Sequence, residues 1–477
     1  MLEVEPKKLT RALISVSDKE GIVPLAQELV KNGVEIIASD GTAAFLKNSG
    51  VVVKTVTEVT GSPELLGGRV KTLHPLIHAA LLVDQNNPQQ LAELNGFGAI
   101  DLLVINLYPT SGFDIGGPAL ARAAAKNNEH VAVISSPKQY SELKDALKSG
   151  TTLEQRKKWA VAALLLTAQY DLALVRERSS QLRYGENPHQ VGGLATNNPH
   201  LVLQGKAMSF NNYLDLQAAS ELARSCESAV AIVKHGIPSG LAKSESATKA
   251  FQAAWACDPI SAFGGVVVSD LEIDRDCAQE IIKGFVEVVA ASKITEAARE
   301  VFATKPNLRV IELSEPARQE FVLKQIDGGF LFQSHDDFNN PGDSFENWKL
   351  VTGAPVDEQK AADLLLAWRI AGQARSNAVA IVKDGAAIGI GAGSVSRVDA
   401  AQLAISKANK FNKSQLPGSV AASDGFFPFP DGVEALTASG VVAIVQPGGS
   451  MKDDEVIAAA KAAGVTMYLT NQRHFSH

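Results

Sequence analysis

Cysteine is scarce: three in 477 residues, Cys226, Cys257 and Cys277, with no CxxC spacing. That argues against a disulfide framework and against a cysteine-rich zinc site. Neither HxE nor PCxxC occurs, so the ligand set of a zinc deaminase is missing. There is no GxxxxGK[ST]. Gly389, Gly391 and Gly393 form GxGxG without the third glycine of the dinucleotide fingerprint. Long hydrophobic runs are lacking too; Val161–Leu166 is far too short to span a bilayer. The first residues carry Glu3 and Glu5 and no basic stretch leading into an apolar one, so no secretory leader is expected. Positive charge is not in excess. Lys+Arg 45 against Asp+Glu 52 gives −7. The chain therefore has no global attraction to nucleic acid or anionic membrane, and local groups must hold any phosphate-bearing ligand. A cytoplasmic protein is the expectation.

What is present is a large apolar fraction, 45%, with 20% charged residues, enough to bury several cores. At roughly 150 residues per unit, about three domain-sized units are expected. Over the first 135 residues strand and helix patterns alternate. Leu13–Val16, Val34–Ala38, Val51–Val56, Leu102–Asn106 and Val131–Ser135 read as strands. Lys19–Lys31, Thr42–Asn48 and the Ala-rich Pro118–Asn127 read as helices between them. Such alternation implies crossovers and a mostly parallel sheet. A helical segment, Leu153–Glu177, follows. From about Ser179 a second region begins. Its strands are expected at Ala229–Val233, Gly265–Ser269, Ala378–Val382, Ala387–Ile390 and Val441–Val445, and its helices at Ala247–Ala256, Ala278–Val286, Glu358–Ala371 and Ala400–Ala408. Polar Ser334–Phe345 reads as a connector between two subdomains. The strand before Lys234-His235-Gly236 and the strand after Ser376-Asn377 hint at two related halves.

Three strand ends in the first region carry small polar residues ahead of helices: Ser17-Asp18-Lys19, Ser39-Asp40-Gly41-Thr42 and Asp114-Ile115-Gly116-Gly117. Helix N-termini present free amides and a positive dipole, which hold phosphate; ordinary helix capping explains the same residues. Gly67-Gly68-Arg69-Val70-Lys71-Thr72-Leu73-His74-Pro75 adds two glycines that admit a close ligand, followed by two cations. In the second region Lys234-His235-Gly236 follows an apolar strand. Histidine moves protons near neutral pH, and a neighbouring lysine can stabilise an oxyanion; a satisfied structural histidine is the plainer alternative. His189 sits in Arg183–Gln190, a loop dense in hydrogen-bonding groups.

With these segments in order, together with DIGG, RAAAKN, RYGENPHQ, DPISAFGG, RSNAVAI, GAGSVSRVDAA, FFPFPDG, QPGGSMKDDEVI and RHFSH, the chain resembles the bifunctional purine-biosynthesis enzymes that join AICAR transformylase to IMP cyclohydrolase. The resemblance covers essentially the whole sequence. It implies a methylglyoxal-synthase-like α/β domain over 1–178 carrying the cyclohydrolase. It also implies a transformylase domain over 179–477, built from two cytidine-deaminase-like α/β subdomains without zinc that meet near 334–345. The reactions implied are formyl transfer from 10-formyltetrahydrofolate to AICAR and ring closure of the product to IMP. No metal is implied, nor a nucleic-acid or membrane partner. A homodimer is, with transformylase sites built across its interface.

The same resemblance assigns roles. Lys234 and His235 would catalyse formyl transfer, assisted by His189. Arg183, Tyr184, Gly264, Glu287, Asn377, Arg397, Phe426 and Arg473 would bind the nucleotide, and Asp431 and Ser450 the folate. For ring closure, Lys71, Tyr108, Asp114 and Lys126 would be catalytic. Ser17, Lys19, Ser39, Gly41, Thr42, Arg69, Thr72, Asn106 and Gly116 would cradle the nucleotide. The chain departs from the family pattern in places: KHGIPSG stands for KHxNPCG, Asp40 replaces a glycine, and Thr110–Phe113 is a short link. Impaired cyclohydrolase, or a non-catalytic nucleotide-binding protein on the same folds, are therefore the alternative readings.

Overall fold

The computed structural model describes residues 5–63, 65–66, 70, 72–317 and 320–477. Gly67, Gly68, Arg69 and Lys71, all singled out above, lie outside them. The chain divides into two compact units, Met1–Ser179 and Ser180–His477.

In the first unit the described strands are β1 (Arg11–Ser15), β2 (Glu35–Ala38), β3 (Lys54–Thr55), β4 (Leu102–Ile105) and β5 (Ala132–Ile134). They form a parallel sheet in the order β3-β2-β1-β4-β5. Both faces are covered, which is why the strands read as unbroken apolar runs. Leu13, Ile37 and Leu103 point into one core and Ile14, Ile36 and Val104 into the other. The helix Leu153–Arg178 lays Trp159 into one core and Ala160 and Ala163 into the other. Among the described residues it is the one helix long and apolar enough to cross a membrane.

Two boundaries in this unit differ from the sequence reading by three residues. The first helix starts at Ile22, because Gly21 adopts φ 65° and breaks the turn that Lys19 would begin. Val51–Val56 is strand only at Lys54–Thr55. Thr55 and Glu58 then form a capping box that starts the helix Val56–Thr60.

The second unit opens with a short antiparallel pair, β6 (Ser180–Gln181) and β7 (Gly193–Leu194), which frames the Arg183–Gln190 loop. Its main body is a twelve-stranded mixed sheet built from two copies of one pattern. The first copy is β8 (Leu201–Gln204), a helix Phe210–Cys226, a hairpin of β9 (Ala229–Lys234) and β10 (Ile237–Lys243), and a helix Ala247–Cys257. Three parallel strands follow, β11 (Val266–Ser269), β12 (Val288–Ala291) and β13 (Arg309–Glu312), with helices between.

An exposed hairpin, β14 (Phe321–Ile326) and β15 (Gly329–Ser334), comes next. The second copy repeats the order. It has β16 (Lys349–Thr352), a helix Glu358–Gln373, a hairpin of β17 (Val379–Lys383) and β18 (Ala386–Gly391), and a helix Arg397–Phe411. Parallel β19 (Val420–Ser423), β20 (Ala443–Gln446) and β21 (Thr466–Leu469) complete it. Antiparallel pairing of β10 with β18 fuses the halves.

The strands Ala229–Val233 and Ala378–Val382 thus occupy equivalent places, as their flanking residues hinted. GxGxG lies on β18. A Cβ at Gly389 or Gly391 would stand 2.2 or 2.0 Å from a carbonyl oxygen of the covering helix, so these glycines serve close packing. The helix expected over Ala278–Val286 lies instead at Arg275–Ile281, and Gly284 turns the chain against the Trp255 ring.

Candidate active sites

In the first unit the carboxyl ends of the parallel strands gather the small polar residues, as ligand sites in such sheets require. Thr42, buried at the start of the helix Asp40–Asn48, is the hub. Its hydroxyl meets the Val16 carbonyl at 3.2 Å, Ser39 Oγ at 3.2 Å and Lys19 Nζ at 3.1 Å. Lys19 Nζ also reaches the Val16 carbonyl. Burial holds the Lys19 ammonium below its ordinary value, against the opposing pull of Asp18. Asn106, just past β4, accepts the Asp18 amide at 2.9 Å and returns Nδ2 to the Asp18 carbonyl at 2.9 Å; its Oδ1 also accepts the Ser17 amide. Asp40 accepts a hydrogen bond from Thr57 Oγ1 at 3.3 Å.

Thr110–Phe113 folds as a single 3-10 turn, Thr110–Gly112, with Phe113 left-handed beneath the Arg178 guanidinium. It delivers Asp114 to a buried position. There one carboxylate oxygen accepts the Tyr108 amide at 3.1 Å and the other the Gly117 amide at 2.7 Å. Asp114 therefore caps the helix Gly116–Lys126. Gly116 leaves room for Thr72, whose hydroxyl would lie 2.8 Å from a Cβ there. Tyr108 is exposed. Lys126 is exposed at the far end of that same helix, about 15 Å from its start at 1.5 Å per residue, and is not brought to the cluster.

In the second unit strand direction decides which residues meet. β9 and β19 run opposite to β17 and β11. One sheet edge therefore carries the end of β9 (Lys234, His235), the starts of β11 and β12 (Gly264, Glu287), the start of β17 (Asn377), and the loops after β19, β20 and β21 (Phe426 and Asp431, Ser450, Arg473). On it, His235 and Gly236 form a two-residue hairpin turn with φ 55° and 70°, the pattern of a type I′ turn. Lys234 Nζ donates to the Phe263 carbonyl at 2.7 Å and would lie 3.6 Å from a Cβ at Gly264. Glu287 is held by Arg309 at 2.9 Å and Asn212 at 3.3 Å. The Arg183–Gln190 loop reaches the same helix start through Asn211, which donates to the Glu186 carbonyl at 3.3 Å. Within the loop the Arg183 guanidinium donates to Tyr184 Oη at 2.6 Å, and His189 is exposed.

Farther along the edge lies a cavity of about 450 Å³ lined by Asn377, Arg397, Phe426, Phe429, Asp431 and Phe475. Arg397 is buried against Asp424, and its Nε has no hydrogen-bond partner among the described residues. Arg473 stacks on the Phe475 ring at 4.6 Å. The Phe426–Phe427 loop is pinned where the Phe427 amide donates to buried Gln446 at 2.8 Å, next to the Pro447–Ser450 segment. The cavity lies three strand spacings from the Lys234-His235 turn, about 14 Å at ~4.8 Å each.

Two organising carboxylates escaped the sequence reading. Asp215, on the helix Phe210–Cys226, accepts the Gly236 amide at 2.6 Å; burial raises its carboxyl above the ordinary value, while backbone amides oppose the shift. Asp424, fully buried, accepts from Ser376, Ala378 and Arg397. The only signal was an acidic residue inside an apolar run, in YLDL and in AASD. Among the described residues no cluster of three or more His, Cys, Asp or Glu is arranged to hold a metal ion.

Known proteins share this organisation. A family model described as "AICARFT/IMPCHase bienzyme" matches residues 124–407, and one described as "MGS-like domain" matches 21–132. The chain is 45% identical to the bifunctional purine biosynthesis protein PurH of Mycobacterium marinum, with 99% of each chain covered. It is 42% identical to that of Corynebacterium glutamicum at the same coverage. Both alignments run over 521 positions, so the relatives carry insertions relative to these 477 residues. A solved structure titled "Crystal structure of ForH" aligns with 35% of this chain and 97% of its own, at 33% identity and a TM-score of 0.33. On the strength of the family model and the full-length relatives, the chain belongs to the AICARFT/IMPCHase bienzyme family.

Proposed function

We infer that the chain performs both reactions of that family in purine biosynthesis, as an AICAR formyltransferase and an IMP cyclohydrolase. We assign formyl transfer to the second unit. The amine of AICAR is delocalised into its ring and is a weak nucleophile, so a base must take its proton as it attacks. His235 is that base, and His189 orients the substrate. Attack places negative charge on the formyl oxygen, and Lys234 is the cation beside it. The new C–N bond forms as the bond from the formyl carbon to the folate nitrogen breaks. That nitrogen takes up a proton and leaves as tetrahydrofolate.

Asn377, Arg397 and Arg473 hold the nucleotide, with Phe426 against it. Arg183, Tyr184, Gly264 and Glu287 shape the approach to the turn. The folate lies against Asp431 and Ser450, with 10-formyltetrahydrofolate as the formyl donor. The observation that carries this reading is the alignment, on one sheet edge, of the Lys234-His235 turn with a cavity lined by Asn377, Arg397, Phe426 and Asp431. The ~14 Å between them supports a homodimer whose transformylase sites are completed by a second copy.

Ring closure belongs to the first unit. It is intramolecular, so positioning supplies much of the rate. Ser17, Lys19, Ser39, Gly41, Thr42, Arg69, Thr72, Asn106 and Gly116 grip the nucleotide. Lys71 stabilises the oxyanion, and Asp114 fixes the amides that face it and the backbone of Tyr108. Lys126 takes part only at a site completed by a second copy. The engagement of Asp40 with Thr57 and the folded Thr110–Gly112 turn support an active cyclohydrolase. The assignment also places the protein in the cytoplasm.

Absorbance assays test it, first with AICAR and 10-formyltetrahydrofolate, then with formylated AICAR alone. Turnover in both is expected. Tetrahydrofolate release without IMP would leave only the transferase, and no turnover in either would leave a binding protein.

A further inference from the structure

The two halves of the second unit contain the same turn twice. Lys234-His235-Gly236-Ile237 joins β9 to β10, and Lys383-Asp384-Gly385-Ala386 joins β17 to β18. Both central residues of each are left-handed, at φ 55° and 70° in the first and 51° and 78° in the second. The lysine of each donates to a backbone carbonyl at 2.7 Å, Phe263 in one case and Pro417 in the other. The sixth residue of the helix before each hairpin is a buried aspartate, Asp215 and Asp363. Asp363 accepts the Asp384 amide at 2.8 Å and the Gly385 amide at 2.7 Å. Asp215 accepts the Gly236 amide at 2.6 Å.

The duplicates differ where chemistry is expected. Asp384, Asn and Gly suit the first position of a type I′ turn, whereas the first turn carries histidine there. A left-handed residue other than glycine is held at a conformational cost. A carboxylate that accepts a turn amide, Gly236 at the first turn and both Asp384 and Gly385 at the second, offsets that cost and fixes where the turn's side chain starts. The two turns lie on opposite edges of the sheet, because β9 and β17 run antiparallel. Only the first shares its edge with the cavity lined by Asn377, Arg397 and Phe426.

We propose that Asp215 is a positioning residue for formyl transfer: its carboxylate locks the left-handed turn that presents His235, and Asp363 is its structural duplicate at a turn with no catalytic duty. The proposal rests on the assignment of His235 as the base.

The test compares Asp215→Asn, Asp363→Asn and His235→Gln in the full-length enzyme. Urea midpoints, kcat and KM for AICAR are measured at saturating 10-formyltetrahydrofolate. Both aspartate variants are expected to lose similar stability. Asp215→Asn is expected to lower kcat about 100-fold, the scale of an ångström-sized misplacement, with KM for AICAR changed by no more than about twofold. Asp363→Asn keeps kcat. If the asparagine variant does not accumulate as folded protein, Asp215→Glu, which keeps two acceptor oxygens but shifts them by one carbon, takes its place under the same criterion. Equal kcat in the two aspartate variants, or a loss confined to KM, overturns the proposal. If His235→Gln itself retains turnover, the assignment of the base falls first, and the proposal falls with it.

Discussion

Replacing His474 by glutamine isolates one buried charge. The imidazole is 1% exposed, stacked on Phe338 at 4.0 Å. Nδ1 meets Asp336 at 2.6 Å and Nε2 meets Asp343 at 2.7 Å, while Trp368 Nε1 donates to the same Asp343 oxygen at 3.1 Å. Burial pushes the imidazolium toward neutrality. The two carboxylates outweigh it, through hydrogen bonds and charge, and lift the group from 6.5 to about 9. A shift of that size is worth about 3 kcal/mol at ~1.36 kcal/mol per unit, in line with the ~3–5 kcal/mol for breaking a buried ion pair.

The sign follows from linkage. A proton bound more tightly in the folded state stabilises fully below pH 6.5, and the contribution is lost as pH rises through about 9. The other groups that face His474 are Asp336, Asp343 and Asp424, whose backbone carbonyl accepts the His474 amide. Burial pushes the Asp343 carboxyl up, but its hydrogen bonds with His474 and Trp368 outweigh that and hold it below the ordinary carboxylate value, outside that window. Urea unfolding followed by tryptophan fluorescence, with Trp368 beside the histidine and Trp348 packed on Trp368, should show wild type exceeding His474→Gln by about 3 kcal/mol at pH 6.5 and converging with it near pH 10. The difference between proteins cancels other titrations. A gap of equal size at both pH values would refute the charge argument and leave only packing. The same substitution should raise KM for AICAR, because His474 anchors the tail that carries Phe475, with Arg473 stacked on its ring, to the cavity.

Three further outcomes are expected. Lys234→Ala or His235→Ala should abolish formyl transfer and spare ring closure, and Lys71→Ala the reverse, with circular dichroism confirming the fold; equal loss of both activities would contradict separate sites. Gly389→Ala, whose Cβ would stand 2.2 Å from the Ala404 carbonyl, should lower the unfolding free energy read from urea titration by about 1–3 kcal/mol, since the helix must move off the strand. Because burial depresses Lys19, its cation is lost below the ordinary lysine value of 10.5. KM for formylated AICAR should therefore climb on the alkaline side before pH 10.5, and Lys19→Arg should flatten that limb, as guanidinium does not deprotonate there.

Local chemistry was legible along the chain wherever periodicity and punctuation agree. The apolar runs at Leu102–Ile105 and Val266–Ser269, and the Ala-rich helix after Gly116-Gly117, follow from side-chain spacing over a few residues. It failed where tertiary demands break the pattern. The helix Phe210–Cys226 buries Asn212 and Asp215 among its apolar residues, so its face does not read as a stripe. β10 contains Pro238 and Gly240, which argue against a strand until helix packing and a bulge are seen to require them.

The sequence by itself determined the strand–helix alternation, the residues available for phosphate and proton chemistry, and the family to which their order points. Only the tertiary structure decided which of them meet. Strand direction across the β10–β18 junction puts Lys234 and Asn377, far apart in the chain, on one edge. The same rule sends Lys383 to the other, and helix length carries Lys126 away from Asp114. Pairing direction and register are properties of strands in contact, set by which faces bury together, and no local stretch of sequence encodes them.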